Sequence, residues 1–185
     1  MNNIQICNIE QKNAYSSPWS FRVRAVILLW NITWILFFRP TPKHLYVWRL
    51  FLLKIFGSRI RGRPYVAPST VIKMPWHLEM EDRACLGPES VVYNLGWVIL
   101  RERCTVSQQA YICAGTHDFS DPGLPLMIGK IEIGKDVFIG ARAFILPGIQ
   151  IGDGAVIGAC SVVTRDMPAW TICAGNPCKP LRPRT

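Results

Sequence analysis

Six aliphatic residues, Ile133, Ile139, Ile145, Ile151, Ile157 and Val163, follow one another at intervals of six. An amphipathic helix would space them three and four apart. A six-residue period instead suits one side of a triangular coil, with the aliphatic pointing inward. Gly134, Gly140, Gly152 and Gly158 follow four of the six and ease the corners. Val137, Ala143, Ile149, Ala155 and Ser161 supply a second compact inward residue per side. Upstream the frame returns in Met80, Leu86 and Val92, slips by two at Leu95-Gly96-Trp97, and resumes at Leu100, Val106 and Ile112. The slip reads as a bulge or a corner insertion. Between Ile112 and Ile133 stands Cys-Ala-Gly-Thr-His-Asp-Phe-Ser-Asp-Pro-Gly-Leu-Pro-Leu, a stretch rich in turn residues. It predicts a loop over about residues 113–130 that leaves the coil, and long loops are more often functional than structural.

A chain of 185 residues has room for one domain with an arm. The divisions expected are a basic, apolar helical arm over residues 1–64, coils over 65–170 and a tail over 171–185. Within the arm, residues 1–17 are polar and without period and read as a loose segment. Residues 18–38 and 43–56 read as two helices parted by Arg39-Pro40-Thr41-Pro42, since proline stops a helix and constrains its predecessor. Gly57 is the expected C-terminal stop. The formal charge of +9 is concentrated here: the first 64 residues hold ten Lys/Arg against Glu10 alone, and the remainder holds eleven of each sign. Nucleic acid is not the expected partner, because the basic segment is apolar and helical and carries no recognised binding motif. The apolar run 25–38 would span only about 21 Å as a helix, short of the roughly 30 Å of a bilayer core. It can be a helix packed on its own domain or oligomer, an interfacial membrane helix, or a short span; Trp30, Trp34 and Trp48 with flanking arginines serve the first two equally well. Seven scattered cysteines with no C-x-x-C pair argue against a disulfide framework or a zinc site and for a reduced, cytoplasmic protein.

Residues 131–182 (IEIGKDVFIGARAFILPGIQIGDGAVIGACSVVTRDMPAW, then AGNPCKPLR) resemble the C-terminal coils of hexapeptide-repeat acyltransferases, among them the galactoside, maltose and nodulation-factor O-acetyltransferases. Almost the whole chain resembles the O-acetyltransferases of colanic acid and related exopolysaccharide biosynthesis, through WNITWILFFRPTP in the arm, PWHLE and VVYNL in the early coils and GTHDFSDP in the loop. The resemblance implies an all-β fold, a single-stranded left-handed parallel β-helix with an N-terminal helical arm and an extruded loop. It implies acetyl-CoA as co-substrate, no metal, and a homotrimer whose sites lie between subunits. The acceptor it implies is a saccharide or lipid-linked saccharide.

Acetyl transfer to a hydroxyl needs a base, donors for the oxyanion and a slot for both reactants. Of three histidines, His44 lies in the arm and His77 precedes the regular coils, whereas His117 stands in the loop and matches the family's catalytic histidine in GTHD. An imidazole is largely neutral at pH 7 and able to take a proton. Asn94 matches an asparagine that positions acceptor or histidine, and asparagine equally suits a coil corner. Asp118 and Asp121 are candidates to orient the imidazole. By the same resemblance Gly140 and Ala141 offer backbone groups near the thioester, Ala159, Thr164 and Arg165 follow the pantetheine arm, and Lys179 and Arg182 join Arg165 on the phosphates. Two positions depart from the sugar acetyltransferases: Phe138 replaces a common tryptophan, and Cys160 replaces a glycine and narrows the coenzyme path. A small soluble acceptor is the alternative within the same chemistry. A γ-type carbonic anhydrase would need a histidine set that this chain lacks, and a non-catalytic scaffold would be expected to lose His117. The basic arm also suits peripheral contact with an anionic membrane.

Overall fold

The computed structural model of the protein describes residues 7–9 and 17–185. From Arg59 onward the chain winds into a β-solenoid of about six turns with three parallel sheets, one per side of a triangular prism. The six-residue period is visible as three columns of stacked side chains. On one side Ile60, Met80, Leu100, Ile133 and Ile151 lie in register. On the next the column is Val66, Leu86, Val106, Ile139, Ile157 and Cys173, and on the third Ile72, Val92, Ile112, Ile145 and Val163. Apart from Ile60, which packs on the core from its edge, every one of these residues is buried. Each fully buried Ile, Leu or Val contributes on the order of 2 kcal/mol, so the columns carry the fold. The second inward positions, Val137, Ala143, Ile149, Ala155 and Ser161, are buried as their spacing predicts.

The first coil begins at Arg59–Ile60, within the segment 1–64 expected to belong wholly to the arm. Early and late coils differ in length. Stacked residues in the first coils are twenty apart, as Met74 and Asn94 are, while those in the late coils are eighteen apart, as Lys135 and Asp153 are. The extra residues all fall at the third corner, in the short 3-10 turn Pro75–His77 and in Leu95-Gly96-Trp97 above it. The loop leaves the third coil at this same corner. Its strands Gly115–His117 and Leu126–Ile128 form an antiparallel hairpin, extended by a third strand, Cys7–Ile9. The remainder of the expected loose segment lies outside the described residues. Across the interruption the coils stay in register through Arg101 Nε donating to Glu132 (2.8 Å) and Arg103 Nε to Asp136 (2.6 Å).

The arm folds as its punctuation predicts. Ser20 caps α1 (Phe21–Thr33), whose last turn widens into a π-helical segment, Trp34–Phe38. After the Arg39-Pro40-Thr41-Pro42 break comes α2 (Tyr46–Ile55), and Gly57, at φ +90°, turns the chain into the first coil. Trp30 is fully buried and its Nε1–H donates to the Ile72 carbonyl (2.7 Å), while Trp34 Nε1–H donates to the Thr70 carbonyl (2.8 Å). These bonds fix α1 along the side of the prism. Arg49 of α2 is also fully buried. Its guanidinium donates to the carbonyls of Val66 (2.8 Å), Pro42 and Lys43 (3.0 Å each) and to Thr41 Oγ1 (2.9 Å). Burial pulls its pKa down from the ordinary arginine value, yet four acceptors compensate the charge. The arm is thus bolted to the first coil by donors that reach its backbone carbonyls.

Replacing Arg49 by methionine keeps the stem and strands the buried Val66 carbonyl, while the exposed Pro42 and Lys43 can turn theirs to water. At about 1–3 kcal/mol for a buried polar group left without its partner, Arg49→Met is expected to lower stability by that amount, read as a reduced urea midpoint.

Candidate active site

His117 ends the first strand of the loop hairpin and is exposed. Its Nδ1 lies 2.7 Å from the carbonyl oxygen of Leu124. A carbonyl can only accept, so Nδ1 carries the proton and Nε2 keeps a free lone pair. The loop is built to present that carbonyl. Asp121 Oδ1 accepts from Gly123 N–H (2.7 Å), Leu124 N–H donates to the Asp121 carbonyl (2.9 Å), and Leu124 takes a left-handed φ of +45°. Asp118 is occupied elsewhere: Oδ1 accepts from the backbone N–H (2.9 Å) and hydroxyl (2.5 Å) of Ser120, which holds its pKa below the usual carboxylate range. Neither aspartate touches the imidazole. The orienting group is a backbone oxygen that has no signature in a sequence.

His117 and Leu126 line a cavity of about 490 Å³ whose other walls come from Tyr93, Lys73 and α1. From α1, Arg24 and Asn31 face into it beside apolar neighbours. Reasoning from the sequence gave no site role to the polar contributors Arg24, Asn31, Lys73 and Tyr93, nor to Ser17 at the same opening. Arg24 and Lys73 appeared in it only as net charge.

Asn94 is fully buried directly above Met74. Its Oδ1 accepts from Met74 N–H (2.9 Å) and its Nδ2 donates to the Met74 carbonyl (2.6 Å). What the structure shows of Asn94 is therefore a clamp between the first two coils, one residue after Tyr93 of the cavity wall. The corner is tight above it as well. A Cβ on Gly96 would come within 3.0 Å of the Gly129 carbonyl oxygen, and one on Gly115 within 2.8 Å of Leu95.

The residues assigned to the coenzyme lie elsewhere on the prism. Gly140, Ala141 and Ala159 stack at the corner between the second and third sheets, whereas the His117 loop leaves at the far edge of the third. The cavity that His117 lines has none of these residues in its walls. Gly140 is held by packing: a Cβ there would lie 2.5 Å from Ala159 N, and its own N–H donates to the Ile157 carbonyl (2.8 Å). Ala159 and Cys160 are exposed, and Cys160 N–H donates to the Ala141 carbonyl (2.9 Å). Cys160 stands at φ +57°, the left-handed conformation that suits glycine. Phe138 is partly exposed on the sheet leading to this corner. Thr164 and Arg165 follow the third sheet, exposed, and Lys179 and Arg182 lie exposed on Lys179–Pro183, which folds back antiparallel on Thr171–Ala174. Among the described residues no three His, Cys, Asp or Glu side chains converge as a metal site.

The bacterial transferase hexapeptide (six repeats) family matches residues 130–165. A relative from Escherichia coli (strain K12), provisionally named colanic acid biosynthesis acetyltransferase WcaF, is 34% identical over 95% of this chain and 98% of its own. In fold, the chain superposes on the hexapeptide-repeat acetyltransferase VCA0836 of Vibrio cholerae O1 biovar eltor, solved with acetyl coenzyme A, with a TM-score of 0.82 at 17% identity over 94% of this chain and 95% of that one. A maltose O-acetyltransferase from Clostridium difficile 630 gives a TM-score of 0.76 at 24% identity over 90% of each chain. With the relative's identity sustained along nearly the full length of both chains, the protein belongs to the hexapeptide-repeat acetyltransferases.

Proposed function

We propose that the protein is an acetyl-CoA-dependent O-acetyltransferase acting on a saccharide hydroxyl, free or lipid-linked, in exopolysaccharide biosynthesis of the colanic acid kind. The observation that carries this reading is His117, its Nδ1 proton held by the Leu124 carbonyl and its ring open to a cavity with polar walls. The acceptor hydroxyl enters that cavity, and Lys73, Arg24 and Asn31 are the groups that hold its neighbouring oxygens. As the acceptor oxygen attacks the thioester carbonyl, its proton passes to His117 Nε2. The tetrahedral intermediate then collapses, the C–S bond breaks, and the coenzyme thiolate takes the proton back from the imidazole. Leu124 supports the imidazolium that exists between these two transfers. Asn94 is a positioning residue: by tying Asn94 to Met74 it sets Tyr93 and Lys73 in the cavity wall.

Acetyl-CoA lies along the Gly140–Ala159 corner. Gly140 N–H is spent within the sheet, so Ala141 N–H is the donor offered to the thioester oxygen. Arg165, Lys179 and Arg182 serve the phosphates. Because this corner and the His117 loop occupy different edges of one prism, a neighbouring chain completes the site, and the working form is a homotrimer in the cytoplasm. The loop tip supports this: Phe119 is 83% exposed in the single chain, beside the catalytic histidine.

His117→Ala is expected to lower kcat by about 10³-fold with the circular dichroism spectrum unchanged, measured as coenzyme A release with a saccharide acceptor. Near-normal turnover in that variant would remove the base assignment. Sedimentation should find a trimer, and dilution to monomer should abolish turnover; a fully active monomer contradicts the shared site. Cys160→Gly relieves the left-handed backbone and widens the path, so it should gain about 1 kcal/mol of stability and lower the KM for acetyl-CoA.

A further inference from the structure

The helical arm buries one side against the prism and leaves the other uncovered. Thirteen of the nineteen exposed large apolar side chains among the described residues lie between 21 and 55. On α1 and its π-helical end they include Leu28 (61%), Ile35 (58%) and Leu36 (57%), and on α2 Val47 (62%) and Ile55 (62%). The two helices present one continuous patch, since Trp48 Nε1–H of α2 donates to the Phe37 carbonyl (2.9 Å) and the Trp48 ring packs on Phe51 at 5.6 Å. Beside it a groove of about 540 Å³ opens between α1 and the end of α2, lined by Val26, Leu29, Ile55 and Trp76, with Arg22 at the same opening.

The charge around this patch has one sign. Between residues 17 and 64 there are nine Lys/Arg and no Asp or Glu. Arg49 is buried, Arg59 and Arg61 pair with Glu79, and Arg39 lies over the Trp34 ring, but Arg22 beside Val26 and Leu29 and Lys54 beside Val47 and Phe51 border the apolar face. A second copy of this face would set those cations against their equals. An anionic lipid surface complements both features, taking the apolar side chains into the acyl boundary and the cations at the headgroups. Phe21–Phe38 is long and apolar enough to cross a membrane, and only 11% of it is buried. It cannot cross while docked, because Trp30 and Trp34 tie its other side to the carbonyls of Ile72 and Thr70.

We infer that the outer face of α1 and α2 is a docking surface for an anionic bilayer, on which the arm lies in the plane of the interface. Arg24, Leu28 and Asn31 of the same helix line the His117 cavity, so docking places the mouth of that cavity at the lipid surface.

The test is flotation of the full-length protein with vesicles of phosphatidylethanolamine and phosphatidylglycerol, against vesicles of phosphatidylcholine alone. Wild type is expected to float with the anionic vesicles, at least tenfold more than with the neutral ones. The variant Ile32→Ser, Ile35→Ser, Leu36→Ser should remain in the lower fraction, with its trimer and its rate of coenzyme A release unchanged. The charge variant Arg22→Glu, Lys54→Glu should lose the preference for anionic vesicles. Wild type that stays unbound to anionic vesicles, or a serine variant that floats equally well, overturns the proposal. So does dissociation of the trimer in the serine variant, which would show that a second copy covers this face. Flotation is read without turnover, so loss of activity in His117→Ala leaves it untouched.

Discussion

Each strand of the prism takes its hydrogen bonds from the coils above and below, and each inward aliphatic rests on its equivalent one turn away. A single coil has neither backbone partners nor a core of its own. This mutual dependence decides where the chain is free to vary. The sides cannot gain or lose a residue without turning the inward column outward, so every length change falls at a corner. The same corner takes the Pro75–His77 turn, the Leu95-Gly96-Trp97 insertion and finally the loop that carries His117. The stacked sides give rigidity, and the third corner gives the room in which a reactive side chain can stand clear of the sheets.

The arm extends the same logic to an end of the stack. The first coil has carbonyls that no earlier coil can occupy, and Arg49, Trp30 and Trp34 supply donors in place of a strand. In doing so α1 comes to stand beside the third corner, where it also walls the His117 cavity. One helix therefore closes the fold, walls the His117 cavity and exposes an apolar face. These tasks fall on different sides of it, which is why α1 is apolar almost all the way round instead of showing the single stripe of an ordinary surface helix.

Much of this is legible in the sequence, for reasons that differ by region. The inward columns from Ile133 to Val163 repeat without interruption, so the period is read directly. The helices are bounded by Ser20, the Arg39-Pro40-Thr41-Pro42 break and Gly57, each of which acts through its own backbone chemistry. Only the opening side of the first coil, Arg59–Ile60, fell to the arm, because the two-residue slip at the third corner parts Ile60 from the later frame, and Arg59, Arg61 and Arg63 give it the same charge as the arm. In the candidate site His117 is visible as a lone histidine in the interrupting loop. The Leu124 carbonyl is invisible, since any residue has one and only the left-handed turn aims it. Arg24 and Asn31 are equally hidden: what makes them neighbours of His117 is the docking of α1, a tertiary contact set by two indoles, Trp30 and Trp34, that are far from His117 in the sequence. Asn94 was legible as a corner residue, and the partner it clamps, Met74, was not.

The closed ends have a consequence for how many chains can stack. A parallel solenoid offers at each terminus a coil shaped to accept another like it, which is the geometry of an open filament. Here the arm occupies the first terminus, with a buried guanidinium on the Val66 carbonyl, and at the other the chain reverses so that Lys179–Pro183 runs antiparallel along Thr171–Ala174. Addition of a further coil is opposed by the arm at one pole and by this reversed strand at the other, which leaves the flanks of the prism as the surfaces for association.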